Sequence, residues 1–144
     1  MSDPAFAKSL DELAAILKRL NEESDKLSAR ISQFEATLLA LNPGVSASVG
    51  KPFRLNEVDG AGAQLAFLKW EEKWGLWVVR AKYQKVGDGW RLSPGGGQSV
   101  IRLVDATRED RAAAVEQFPH LVEVLKAAAT KRLALIEAAN KRAE

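Results

Sequence analysis

One periodic pattern constrains this chain more than any other feature: large apolar side chains recur along residues 6–41 at alternating steps of four and three. The pattern holds for about five heptads, and only Ser24 interrupts it. A sustained heptad repeat keeps one seam of a helix facing a partner helix. We therefore predict a long N-terminal coiled-coil helix over residues 1–42, with Pro4 in its first turn and Pro43 beyond its end. The predicted interface residues are Leu10, Leu13, Leu17, Leu20, Leu27, Ile31, Phe34 and Leu38.

Two different helices could cover this seam. The N-terminal helix can fold back on a C-terminal helix of its own chain, or it can pair with the same helix of a second chain. Arg30 at a g position and Glu35 at the following e position would form the interchain ion pair of a parallel dimer. We therefore expect a homo-oligomer, with a dimer favoured, and another protein as a further partner.

Residues 107–144 predict a second long helix. Thr107 is a candidate N-cap, and Asp110 lies in the first turn, where the helix dipole favours an acidic group. Pro119 interrupts the apolar stripe that follows. We therefore predict a kink, or two helices that meet, near Phe118.

Residues 43–106 predict a small antiparallel meander of about four strands, because short apolar runs alternate with glycine-rich turns. With the two helices, this sheet makes a single structural unit of the α+β class. The predicted strands are Gln64–Trp70, Leu76–Gln84, Trp90–Ser93 and Ser99–Val104.

The hairpin between the first two strands determines which side chains lie in the core. A loop at Glu72–Gly75 would place Trp70 opposite Trp77 and Phe67 opposite Arg80. In that register the two tryptophans belong to a continuous apolar face, and we predict that both are buried. Phe67 then lies on the mixed, charged face.

A basic excess coincides with the tryptophans. Residues 45–104 carry nine Lys and Arg against five Asp and Glu, whereas the whole chain has a net charge of only +2. Aromatic rings beside basic groups suit single-stranded nucleic acid. A nucleic-acid-binding protein is therefore the alternative function, although it is not favoured because no binding motif is present. The surface would comprise Lys69, Trp74, Arg80, Lys82, Trp90, Arg91 and Arg102.

Signals for catalysis are weak. The chain has no cysteine and a single histidine, His120, which argues against a transition-metal site and excludes a cysteine nucleophile. The stretch "SPGGGQS" lacks the lysine of a phosphate-binding loop and is typical of a turn. We therefore predict no catalytic residue, no metal and no cofactor. The expected function is a non-enzymatic protein–protein interaction or assembly module.

Two further interpretations rank lower. The layout of two long helices flanking short hairpins resembles that of prefoldin subunits in topology, and this resemblance implies a chaperone-like clamp. The other interpretation is an enzyme that uses a pair of carboxylates. The first residues lack a basic start followed by an apolar run, and no apolar stretch reaches membrane-spanning length. We therefore expect a cytoplasmic protein without a membrane partner.

Overall fold

A computed structural model describes residues 3–143 and confirms the α+β class, with a long N-terminal helix, an antiparallel sheet and a long C-terminal helix. Residues 1, 2 and 144, which the sequence assigns to the terminal helices, lie outside the described part. The elements are α1 (Pro4–Leu41), β1 (Ala47–Ser48), β2 (Ala61–Trp70), β3 (Lys73–Val86), β4 (Gly89–Leu92), β5 (Ser99–Arg102), α2 (Arg108–Glu116) and α3 (Phe118–Ala143).

The ends of α1 follow from local signals. The Asp3 side chain accepts a hydrogen bond from the amide of Ala5 at 3.0 Å, and Pro4 occupies the first turn. At the other end Asn42 adopts a left-handed conformation with φ 47°, and its amide donates to two carbonyl groups of the last turn. The resulting helix of 38 residues is about 57 Å long at about 1.5 Å per residue.

The sheet is a meander with one departure. β2, β3 and β4 follow one another with antiparallel neighbours, and the short β1 pairs with the outer edge of β2. β5 returns to β3 instead of extending the meander beyond β4. The long β3 therefore carries β5 along residues 77–80 and β4 along residues 83–86, both on the edge opposite β2.

The predicted hairpin register is wrong. Trp70 lies opposite Lys73, and the turn consists of Glu71 and Glu72, which both have positive φ (50° and 67°). Two such residues make a turn whose twist matches the strands that flank it. Gly75, expected to supply the loop's positive φ, lies inside β3. Trp70 accordingly sits at the end of the hairpin with 36% of its surface exposed, whereas Trp77 is buried as predicted, at 6%.

The main core lies on the face that was predicted to be mixed and charged. In the observed register Leu65 faces Val78 and Phe67 faces Leu76, and all four side chains are fully buried or nearly so. They form one apolar cluster with Ile31 of α1 and with residues of the C-terminal helices. The helices therefore cover this face of the sheet.

The C-terminal helices run alongside the second half of α1. Thr107 caps α2 by accepting from the amide of Asp110 at 3.2 Å, and the helix breaks at Gln117, which confirms the predicted junction near Phe118. The ring of Phe118 stacks on that of Phe34 in α1, with centroids 4.1 Å apart. Among residues 3–143, no helix has an apolar segment long enough to cross a bilayer.

Candidate functional site

The seam of α1 divides into two parts with different environments. Beyond the middle of the helix Ile31 and Leu38 are buried, while Leu27 and Phe34 pack partly buried against the same core. Before the middle, the heptad residues face outward. We call these five the uncovered stripe, and their exposed fractions are Phe6 59%, Leu10 49%, Leu13 48%, Leu17 45% and Leu20 43%.

Polar contacts with α2 mark the border between the two parts. Arg108 donates to the side-chain oxygen of Asn21 at 2.7 Å, and Arg111 donates to the hydroxyls of Ser24 and Ser28. The interruption of the heptad pattern at Ser24 therefore receives a physical explanation, because that position binds a guanidinium instead of a leucine. α2 begins level with Asn21, so the helix before this residue extends past the rest of the fold.

Glu35 has a role that the sequence did not indicate. Its carboxylate binds Arg102 at 2.6 Å and accepts the amide of Leu76 at 2.8 Å. Leu76 is one residue beyond the last pair of β3 with β5, so Glu35 satisfies a backbone donor at the edge of the sheet. The pair expected between Arg30 and Glu35 of two chains is thus wrong, because the carboxylate is buried within its own chain.

A second buried acid joins three parts of the fold. The Asp110 side chain is fully buried and binds Arg80 of β3 through two nitrogens, at 2.9 Å from Nε and 2.6 Å from Nη2. It also binds Arg54, in the loop before β2, at 2.6 Å. Arg54 holds a left-handed φ of 50°, which is strained for a residue with a side chain. The cluster ties α2 to the sheet.

Several residues of the predicted nucleic-acid surface are engaged in ion pairs within the chain, and the residues lie on different faces of the sheet. Arg80, Arg102 and Lys69 each bind a carboxylate of the same chain. Side chains alternate between the two faces along β3, so Arg80 and Lys82 share one face. Arg102 is paired with Trp77 and therefore lies on the other face. The seven residues are therefore not assembled on a single surface.

The aromatic part of that surface also differs from the expectation. Trp74, which the predicted loop at Glu72–Gly75 would contain, is in β3, and its ring stacks on Phe67 with centroids 5.6 Å apart. Trp90 lies opposite Lys85 and is partly exposed. Lys82 and Arg91 are exposed on their strands.

The single histidine and the acidic residues do not form a metal-binding cluster in the described part of the chain. His120 is exposed in the first turn of α3, and residues 3–143 contain no group of three or more metal-ligating side chains. An open cleft lies between Gly95–Gly97 and the strand that carries Arg80 and Lys82. The Arg80 guanidinium in this cleft is already bound to Asp110. Other polar groups that line the cleft belong to Lys82, Ser93 and the backbone of Gly95–Gly97.

No protein-family model, curated protein sequence or solved structure matches this chain. The functional interpretation therefore depends on the geometry of the chain itself, in which the uncovered stripe is the most extended exposed apolar feature of α1.

Proposed function

We propose that this protein is a non-enzymatic protein–protein interaction module of the cytoplasm that self-associates through the uncovered stripe. The observation that supports the proposal is the series of five large apolar residues from Phe6 to Leu20, each between 43% and 59% exposed. Monomeric soluble proteins rarely keep large contiguous apolar patches in contact with water. A stripe in heptad spacing is the shape that a second helix covers best.

The dimensions of the stripe are those of a short coiled coil. Its length from Phe6 to Leu20 is about 21 Å at about 1.5 Å per residue. Covering the exposed half of a leucine contributes about 1 kcal/mol, so four leucines from each of two chains contribute about 8 kcal/mol. Association itself costs about 4–15 kcal/mol. We therefore expect a weak dimer whose population depends on protein concentration.

The test is a measurement of molar mass in solution. Light scattering coupled to size exclusion, over a range of concentrations, should give a dimer for the wild type. The double variant Leu17→Lys/Leu20→Lys should give a monomer, because lysine in the seam places charge against an apolar partner. Both leucines are already half exposed in the single chain. The double variant should therefore keep its helical circular dichroism and its unfolding midpoint.

A matched control is available on the same helix. Ala15 and Glu22 are exposed at f positions, on the side of α1 away from the stripe. The double variant Ala15→Lys/Glu22→Gln changes the net charge there by +2, as Leu17→Lys/Leu20→Lys does in the seam, and should still dimerise. A wild-type protein that remains monomeric at about millimolar concentration, where even weak association is detected, would contradict the proposal.

A further inference from the structure

We infer that two copies of α1 pair in antiparallel orientation, with the two-fold axis beside residue 15, so that the two folded bodies lie at opposite ends of the helix pair. This inference rests on the proposed function and specifies its geometry. It follows from two properties of the stripe: the heptad spacing and the residues at its flanks.

Heptad spacing restricts the registers of an antiparallel pair. Side chains at a positions must meet those at d positions of the partner, which permits only shifts by whole heptads. With the axis at residue 15, Leu10 meets the second copy's Leu20, and Leu13 meets its Leu17. By symmetry this makes four leucine layers, which use all four leucines of the uncovered stripe in each chain.

The two neighbouring registers place less suitable residues in the layers of the seam than the register with its axis at residue 15. A register one heptad toward the N-terminus brings Asp3 into the seam opposite Leu20. A register one heptad toward the C-terminus places Leu10 opposite Leu27 and Leu13 opposite Ser24, although Leu27 packs against the core of its own chain and Ser24 binds Arg111 of α2. The axis at residue 15 keeps Asp3 and Ser24 outside the four leucine layers, which lie before the start of α2, and Ser24 then meets only Phe6 at each end of the pair.

The order of charges on the outer sides of the helix agrees with the same arrangement without deciding it. Asp11 and Glu12 precede the axis, Lys18 and Arg19 follow it, and all four are exposed. In the antiparallel pair the acids of one copy lie along the same edges as the bases of the other copy. In a parallel pair, and in the register shifted toward the N-terminus, acids lie beside acids. These four residues occupy b and c positions, which point away from the seam, so their charges act on the partner helix only at long range.

The flanks of the stripe distinguish antiparallel from parallel pairing as well. Antiparallel helices bring g positions beside g positions and e positions beside e positions. Ile16, at g and 62% exposed, then packs against the second copy's Ile16, and the small Ala14 lies beside Ala14. In a parallel pair Ile16 would instead meet Asn21, which already accepts a hydrogen bond from Arg108. Antiparallel pairing therefore also covers this exposed isoleucine.

Cysteine cross-linking tests the orientation, because the natural chain contains no cysteine. Leu10→Cys chains are mixed with affinity-tagged Leu20→Cys chains, oxidised and separated without reductant. We expect mainly the heterodisulfide between the two variants. In an antiparallel pair of Leu10→Cys chains the two introduced thiols are about 15 Å apart along the axis, so homodisulfides should be rare. Ala14→Cys keeps every leucine and should form a homodisulfide by itself, whereas Ala15→Cys, on the opposite side of the helix, should not.

The outcomes separate this inference from the proposed function. A dimeric mass with homodisulfides of Leu10→Cys and of Leu20→Cys, and no heterodisulfide, would show parallel pairing and overturn the inference while the proposed function stands. Association without any of these disulfides would show that the stripe binds another surface, such as α3 of the second copy, and would also overturn it. A monomeric wild type at every concentration would overturn both.

Discussion

Replacing Asp110 by asparagine is expected to destabilise the fold by about 3 kcal/mol, although the two side chains have nearly the same shape. The Asp110 carboxylate is fully buried, and it accepts hydrogen bonds from Arg54 and from two nitrogens of Arg80 at 2.6–2.9 Å. Asparagine removes the negative charge and retains a single oxygen acceptor. Two guanidinium groups would then lie side by side without a counter-charge.

The exposure of the arginines determines the magnitude. Removing one partner of a buried ion pair costs about 3–5 kcal/mol, because the remaining charge stays buried and unpaired. Here the remaining charges keep contact with water, since the side chains of Arg54 and Arg80 are 44% and 39% exposed. Rehydration of the arginines offsets part of the loss. The lower end of the range, about 3 kcal/mol, is therefore the appropriate expectation.

Urea unfolding followed by far-ultraviolet circular dichroism measures this change. Glu109→Gln is the matched control, because Glu109 precedes Asp110 in the same first turn and is exposed. It should change the free energy of unfolding by no more than about 0.5 kcal/mol. Arg80→Gln combined with Asp110→Asn should cost less than the sum of the single changes, since both remove the same ion pair. Equal effects of Asp110→Asn and Glu109→Gln would refute the structural role assigned to the cluster.

Three further outcomes are expected in the same assay. Burial raises the pKa of Tyr83 to about 12, so the protonated hydroxyl favours the folded state. This contribution to the free energy of unfolding should be fully present below pH 10 and fall by about 1–3 kcal/mol as the pH rises toward 12. The variant Tyr83→Phe should not show this fall. Gly75→Ala should destabilise by about 1–3 kcal/mol, because a Cβ there would lie 2.8 Å from the Glu35 carboxylate; an unchanged midpoint would contradict the contact. Trp77→Ala should cost about 3–5 kcal/mol and Trp70→Ala far less, and equal losses would contradict the observed hairpin register.

The hairpin shows why part of the sheet could not be predicted. Gly75 is the residue type that most readily adopts positive φ, yet Glu71 and Glu72 form the turn. The partner of Trp70 consequently changes from Trp77 to Lys73, four residues away. Side chains alternate between faces with a period of two residues, so a shift by four residues leaves each side chain on the same face as before. The residues that share a face were therefore predicted correctly. The error lies in which face forms the main core: Phe67, expected opposite Arg80, is buried opposite Leu76, while Trp77 on the predicted face is buried too.

Helices were easier to predict because their signals are local. Asp3, Asn42 and Thr107 act within one turn of the residues that they cap, and Gln117 breaks the helix two residues before Pro119. The buried ion pairs are different. Glu35 and Arg102 are 67 residues apart in the chain, and Arg80 and Asp110 are 30 apart. No local pattern connects such residues, so these contacts depend on the three-dimensional arrangement of the sheet and helices.

The heptad repeat itself illustrates the limit of periodicity as evidence. A repeat indicates that one side of a helix needs a cover, but it does not indicate whether the cover belongs to the same chain. In α1 the heptad seam packs against the sheet and the C-terminal helices after Ser24 and is exposed before it. The sequence carries one sign of this division, because Asn21, Ser24 and Ser28 place polar atoms on the seam and its flank where α2 begins. Polar residues within a heptad seam can thus mark the point at which a helix passes from the core of its own chain to an exposed surface.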